Sequence, residues 1–167
     1  VLDGLKRLEY RGYDSMGVAV LDHDVLQIRK DAGRIADVAD RVKIHEMKGT
    51  VGIGHTRWAT HGAPNMVNAH PHTDSSGRIA VIHNGVIENF MQLKQELIDR
   101  GHSFLSRTDT EVIPHLIEEE MKGEVGLAQA TLSALRRLKG SYAVAVISSL
   151  EPGKIVCARH ESPLVLG

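Results

Sequence analysis

Apolar residues at the start of the chain recur with a helical period, Leu2, Leu5 and Leu8 being separated by Lys6, Arg7 and Glu9. The turn-rich Arg11-Gly12-Tyr13-Asp14-Ser15 leads into the apolar run Met16 to Leu21, which suits a buried strand. Asp22-His23-Asp24 links it to a second strand, Val25 to Lys30, so the pair predicts an antiparallel hairpin. Ile35, Val38, Ala39, Val42 and Met47 mark one amphipathic helix ending near Gly49, and Val51 to His55 resumes as a strand. Thr56 to Gly77 carries no clean period, and irregular stretches of that length in compact domains are usually functional or disordered.

Downstream, Ile79 to Ile82 predicts a short strand running into His83-Asn84-Gly85, followed by a helix from Glu88 to Arg100. His102 to Leu105 reads as a strand. Thr108-Asp109-Thr110-Glu111 has the form of a capping box opening a helix to Lys122, which Pro114 should distort in its second turn. A helix over Val125 to Leu138 precedes two strands, Ser141 to Ser148 and Lys154 to Arg159, joined by a turn at Glu151-Pro152-Gly153. Strands at both ends with helices between them predict a layered α+β domain.

Composition narrows the function. The 167 residues are 42% hydrophobic and 25% charged, enough for one domain with a sizeable core and no internal repeat. Twenty basic residues against 21 acidic ones leave a net charge of −1, which gives no global field for nucleic acid or an anionic membrane. No apolar run reaches the roughly 18 residues of a membrane span. A single cysteine, Cys157, excludes a disulfide framework and fits a reducing compartment, so a cytoplasmic location is expected. Cys157 lies in an apolar strand pattern and is expected to be inert packing.

Three features could carry chemistry. Arg57 and Trp58, the only tryptophan, stand side by side where a strand becomes a loop. A guanidinium pairs bidentately with carboxylates and the indole could cover a small ligand, the plainer alternative being a surface ion pair and a core aromatic. Asn84-Gly85 could direct a side-chain amide and a backbone N–H at one oxygen, as in an oxyanion hole, or could simply be a turn. Asp109 could bind an ammonium group or serve the helix dipole. Together, Arg57 for a carboxylate, Asp109 for an amine and Asn84-Gly85 for a carbonyl describe a receptor for an amino acid with a reactive amide end. His55, His61, His70, His72 and His83 crowd the same region, and His70-Pro71-His72 has the spacing of some metal pairs. No helical His-Glu-x-x-His motif or cysteine cluster accompanies them, so they are expected to be hydrogen-bonding struts, with no metal and no cofactor.

The blocks Leu8 to Ser15, Gly54 to Gly62, Asn68 to His72, His83-Asn84-Gly85 with Ile87-Glu88-Asn89, Thr108 to Glu111 and Lys139 to Ala143 resemble, in order, the glutaminase domain of glutamine:fructose-6-phosphate aminotransferases, a branch of the class II glutamine amidotransferases. The resemblance implies an N-terminal-nucleophile hydrolase fold, a four-layer α/β/β/α sandwich with mainly antiparallel sheets. It implies hydrolysis of glutamine to glutamate, with ammonia channelled to sugar-isomerase domains that aminate fructose 6-phosphate in a homo-oligomeric parent. By similarity Arg57 binds the glutamine carboxylate, Asp109 its ammonium, and Asn84 and Gly85 form the oxyanion hole. Trp58, Thr60 and His61 belong to a closing loop, and Arg11, Asp14 and His70 support the site. The family nucleophile is a cysteine at the mature N-terminus, whereas this sequence opens on Val1 in a helical pattern. The expectation is therefore a single partial domain, inactive alone, whose alternative role is that of a non-catalytic glutamine-binding module.

Overall fold

The computed structural model describes residues 1–58 and 63–167, the Arg11 side chain excepted. The described elements are α1 (Leu2–Leu8), β1 (Ser15–Asp22), β2 (Val25–Ala32), α2 (Ile35–Arg41), β3 (Val51–Arg57), β4 (His72–Thr73), β5 (Ile79–Ile87), α3 (Phe90–Asp99), α4 (Val112–Met121), α5 (Leu127–Leu135), β6 (Gly140–Ser148) and β7 (Val156–His160). Short 3₁₀ turns at Glu9–Arg11 and Ile44–Glu46 complete the list. The strands form two sheets, ordered β2-β1-β3 and β4-β5-β6-β7, with every pairing antiparallel.

Period-two alternation along β1 generates the layers. Met16 and Val18 point to one side and pack with Leu5 of α1 and Ile35, Val38 and Ala39 of α2. Ala19 and Leu21 point to the other side and meet Ile53 of β3, Ala80 of β5 and Ile147 of β6. The outer face of the second sheet, through Ile79, Val81, Val144 and Val146, is covered by Leu93, Ile113, Leu116 and Leu127 from α3, α4 and α5. Three apolar seams between four sheets and helix layers make an α/β/β/α sandwich, the α+β architecture that the sequence predicts. Among the described residues, no helix is long and apolar enough to cross a membrane.

The segment that precedes β4 is held by a half-buried cation. Lys30 of β2 donates from Nζ to the carbonyls of Ala69 at 2.6 Å and Pro71 at 2.8 Å. The neighbouring strand allows this approach because Gly17 has no side chain; a Cβ there would stand 2.2 Å from the His70 carbonyl oxygen. Burial lowers the Lys30 amine to about 8, with Glu111 partly opposing. Charge-assisted hydrogen bonds contribute about 1.5–3 kcal/mol each. Lys30→Met is therefore expected to lower the unfolding free energy by about 2–3 kcal/mol in urea titrations, and an unchanged midpoint would mean that the clamp contributes nothing.

Several local expectations are corrected. The predicted helix through Met47 stops at Arg41, because Lys43 takes a left-handed conformation at φ 55° and Arg29 accepts the role of cap, donating to the carbonyls of Val42 and Lys43. β5 is longer than predicted and runs through Asn84-Gly85, which pair with Ala143 and Tyr142 of β6, so the dipeptide is no turn. His102 to Leu105 is not a strand: the amides of Leu105 and Ser106 donate to the Glu111 carboxylate at 2.8 and 2.7 Å instead of to a ladder. With Glu111 thus engaged, no side chain caps α4, and the capping box does not form. The helix begins at Val112, so Pro114 falls in its first turn, where a missing N–H costs nothing, and α4 continues to Met121. Cys157 is exposed rather than buried, because β7 is an edge strand on which Val156 and Ala158 take the inward positions.

Candidate active site

At one end of the seam between the sheets, side chains that would extend the apolar layer become polar. Period-two alternation continues Ile53 of β3 into His55 and Arg57, and Ala80 of β5 into Ile82 and Asn84. His55, Arg57, Ile82 and Asn84, with Trp58, Gly85, His70, Thr108, Asp109 and Thr110, line a cavity of about 550 Å³. Arg57, Asn84, Gly85 and Asp109, which the sequence proposes as separate features, thus face one space.

Arg57 is only 5% exposed and Asp109 only 4% exposed. Burial pulls the Arg57 guanidinium below its ordinary value, while the nearby carboxylates of Asp109 and Asp14 oppose that shift. The Asp109 carboxylate is oriented by the backbone N–H of Ile87, which donates to Oδ2 at 2.8 Å. Asp14 approaches through the backbone, its N–H donating to the Arg57 carbonyl at 3.1 Å. Gly12 permits this contact, since a Cβ there would stand 2.6 Å from the Arg57 carbonyl carbon. A buried cation and a buried anion thus stand in one cavity, an arrangement whose opposite charges could complement a zwitterion.

His55, expected only as a strut, contacts the candidate oxyanion-hole residue Asn84 directly. Its Nε2 lies 2.9 Å from Asn84 Oδ1, which engages the amide oxygen and leaves the amide NH₂ as the free donor of Asn84. The available signal is spacing: His55 and Arg57 stand two apart on one strand and therefore share a face. Gly85, at φ 132°, holds a backbone conformation that side chains rarely adopt. Behind these residues the Thr110 hydroxyl sits 2.9 Å from both His70 Nε2 and His83 Nδ1, donating to one ring and accepting from the other. His72 Nε2 lies 3.1 Å from Thr108 Oγ1, whose neighbour Ser106 donates to Glu111. These histidines hold loops, as the sequence suggests. Burial is the first cause that lowers each of His55, His70, His72 and His83, with His55 reaching about 4.

Alternation also separates Arg57 from Trp58. The guanidinium turns inward, while the indole is 59% exposed at the cavity rim, edge-on to Tyr13 with ring centroids 5.4 Å apart. Thr60 and His61 lie outside the described residues, as does the Arg11 side chain.

The four-layer sandwich and a charged cavity at the end of its inter-sheet seam define an N-terminal-nucleophile hydrolase fold of the class II amidotransferase type. The chain belongs to the glutamine amidotransferase domain family, whose pattern its residues 55–166 match. Among proteins of that family it is 56% identical over all 167 residues to the glutamine–fructose-6-phosphate aminotransferase (isomerizing) of Methanothermobacter thermautotrophicus, and 55% identical to that of Thermococcus kodakarensis. In both cases the match covers 100% of this chain and 28% of the relative, so the chain spans little more than a quarter of their length. Among solved structures, the glutamine phosphoribosylpyrophosphate amidotransferase of B. subtilis in complex with ADP and GMP superposes with a TM-score of 0.76. It is 33% identical, and the match covers 89% of this chain and 32% of that one.

Proposed function

We propose that this domain binds glutamine and releases ammonia from its side-chain amide, as the glutaminase half of a cytosolic, homo-oligomeric aminotransferase that converts fructose 6-phosphate to glucosamine 6-phosphate. The observation that carries this reading is the meeting of Arg57, Asp109 and Asn84-Gly85 in one cavity. Arg57 takes the α-carboxylate and Asp109 the α-ammonium, which fixes the amino-acid end and sends the amide toward Asn84. As the amide carbon becomes tetrahedral, its oxygen gains charge, and the Asn84 amide with the Gly85 N–H stabilises it through preorganised donors. Trp58, Thr60 and His61 close over the ligand, and Arg11, Asp14 and His70 support the wall. Cys157 does not line the cavity and is therefore not placed to attack the amide. The names of the aminotransferase relatives support the sugar substrate.

Removing one partner of a desolvated charge pair costs about 2–5 kcal/mol. Arg57→Ala in the intact protein is expected to weaken glutamine binding at least 30-fold by calorimetry, the low end of that range. Unchanged affinity would overturn the assignment. Ammonia release from glutamine by the intact protein distinguishes this reading from a non-catalytic glutamine-binding module, which would bind and release nothing.

A further inference from the structure

A second cluster of titratable side chains lies away from the glutamine cavity. His115 and Glu118 stand three apart on α4 and so share a face of that helix, while His102 follows the end of α3, and none of the three lines the cavity. Their ligand atoms converge: His102 Nδ1 is 3.2 Å from His115 Nδ1 and 3.2 Å from Glu118 Oε2, and His115 Nδ1 is 3.7 Å from the same Oε2. Ser75, in the turn between β4 and β5, brings Oγ to 3.1 Å from His102 Nδ1 and 3.3 Å from His115 Nδ1. Donor atoms arranged tetrahedrally around a metal at about 2.0–2.1 Å stand about 3.4 Å apart. The observed separations bracket that value.

The hydrogen-bond accounting points the same way. His102 Nε2 lies 2.7 Å from Glu119 Oε1, and the neutral tautomer that donates there turns the Nδ1 lone pair inward. Glu119 is itself fixed by Lys122. A carboxylate that orients the far nitrogen of a histidine is the usual outer support of a metal-bound imidazole. Four potential ligands then face one point: two ring nitrogens, a carboxylate oxygen and a hydroxyl. Both histidines are buried, Glu118 is partly exposed, and His115 and Ser75 line a surface cleft that offers an entry path.

We propose that His102, His115 and Glu118 form a binding site for one divalent transition-metal cation, with Ser75 or water in the fourth position. Two imidazoles and one carboxylate select Zn²⁺ over Mg²⁺ or Ca²⁺, which prefer all-oxygen shells. The ion has a structural role. It staples α4 to the β4–β5 turn and to the 100–111 loop that delivers Asp109 and Thr110 to the glutamine cavity. The proposal is independent of the glutamine reading.

The test is titration of the intact, chelator-stripped protein with Zn²⁺ by calorimetry, and with Co²⁺ by visible absorption. One Zn²⁺ per chain is expected, with a Co²⁺ spectrum of low coordination number and a melting temperature that rises with added Zn²⁺. Glu118→Gln keeps the shape of a partly exposed side chain and is expected to weaken binding at least tenfold and to abolish the thermal shift. His45→Ala, which removes an exposed histidine elsewhere, should change neither. Absence of saturable binding, equal affinity in Glu118→Gln, or loss of binding in His45→Ala would overturn the site and leave a metal-free hydrogen-bonded cluster.

Discussion

Replacing Gly85 by alanine is expected to destabilise the fold by about 3 kcal/mol or more and to abolish ammonia release. A backbone held at φ 132° is strained for any residue with a side chain, at a cost of about 1–3 kcal/mol. The added Cβ would also stand 2.1 Å from the Ser141 carbonyl oxygen and 2.7 Å from its carbon. Those atoms belong to the backbone of β6 and cannot rotate aside, so β5 and β6 must separate locally, an overpacking cost of about 1–3 kcal/mol. The same shift moves the N–H assigned to the proposed oxyanion hole. Gly77→Ala is the matched control: its φ is also positive at 68°, but nothing lies within 4 Å of the new Cβ. It should cost only about 1–2 kcal/mol and spare activity. Urea unfolding of both variants, with ammonia release from the intact protein, decides the matter. A Gly85→Ala protein as stable and active as the parent would refute the geometry.

Acidification from pH 7.5 to 5 should remove a large part of the stability. His55, His70, His72 and His83 all have folded values below the ordinary 6.5, burial being the first cause in each. Unfolded imidazoles take up protons near 6.5, so between that value and the folded ones the unfolded state binds more protons. Stability therefore rises with pH through this window and is lost as pH falls below 6.5. With His55 at about 4 when folded, its penalty at pH 5 is about 2 kcal/mol. The other three act in the same direction, against a typical total of about 5–15 kcal/mol for a domain. Urea midpoints across pH 5–7.5 should give a slope equivalent to at least two protons taken up on unfolding. A flat profile would show that these rings are charged or exposed in the folded state.

Much of the fold was legible because period is a local property. The apolar run from Met16 to Leu21 made a buried strand, and the structure shows why both of its faces are apolar: Met16 and Val18 enter one seam, Ala19 and Leu21 another. Where the reading failed, a distant group had competed for a local hydrogen bond. Glu111 had the spacing for a capping box, but the amides of Leu105 and Ser106 had captured its carboxylate. Arg29, from the neighbouring strand, ended a helix that the apolar pattern would have continued. Cys157 had the neighbours of a buried strand residue, and only the edge position of β7 exposed it.

The candidate site divides in the same way. The sequence by itself determined the residue chemistry: a guanidinium beside an indole, an amide beside a glycine, and a carboxylate at a helix entrance. That Arg57 turns inward while Trp58 stays at the rim emerged only from the structure, in which β3 extends to Arg57. Tertiary structure decided that residues 57, 84 and 109 share one cavity, that His55 aims the Asn84 amide, and that Ser75, His102, His115 and Glu118 surround a second point. Periodicity depends on a few neighbouring residues. Convergence depends on how two sheets and their helices stack, which no short window of sequence encodes.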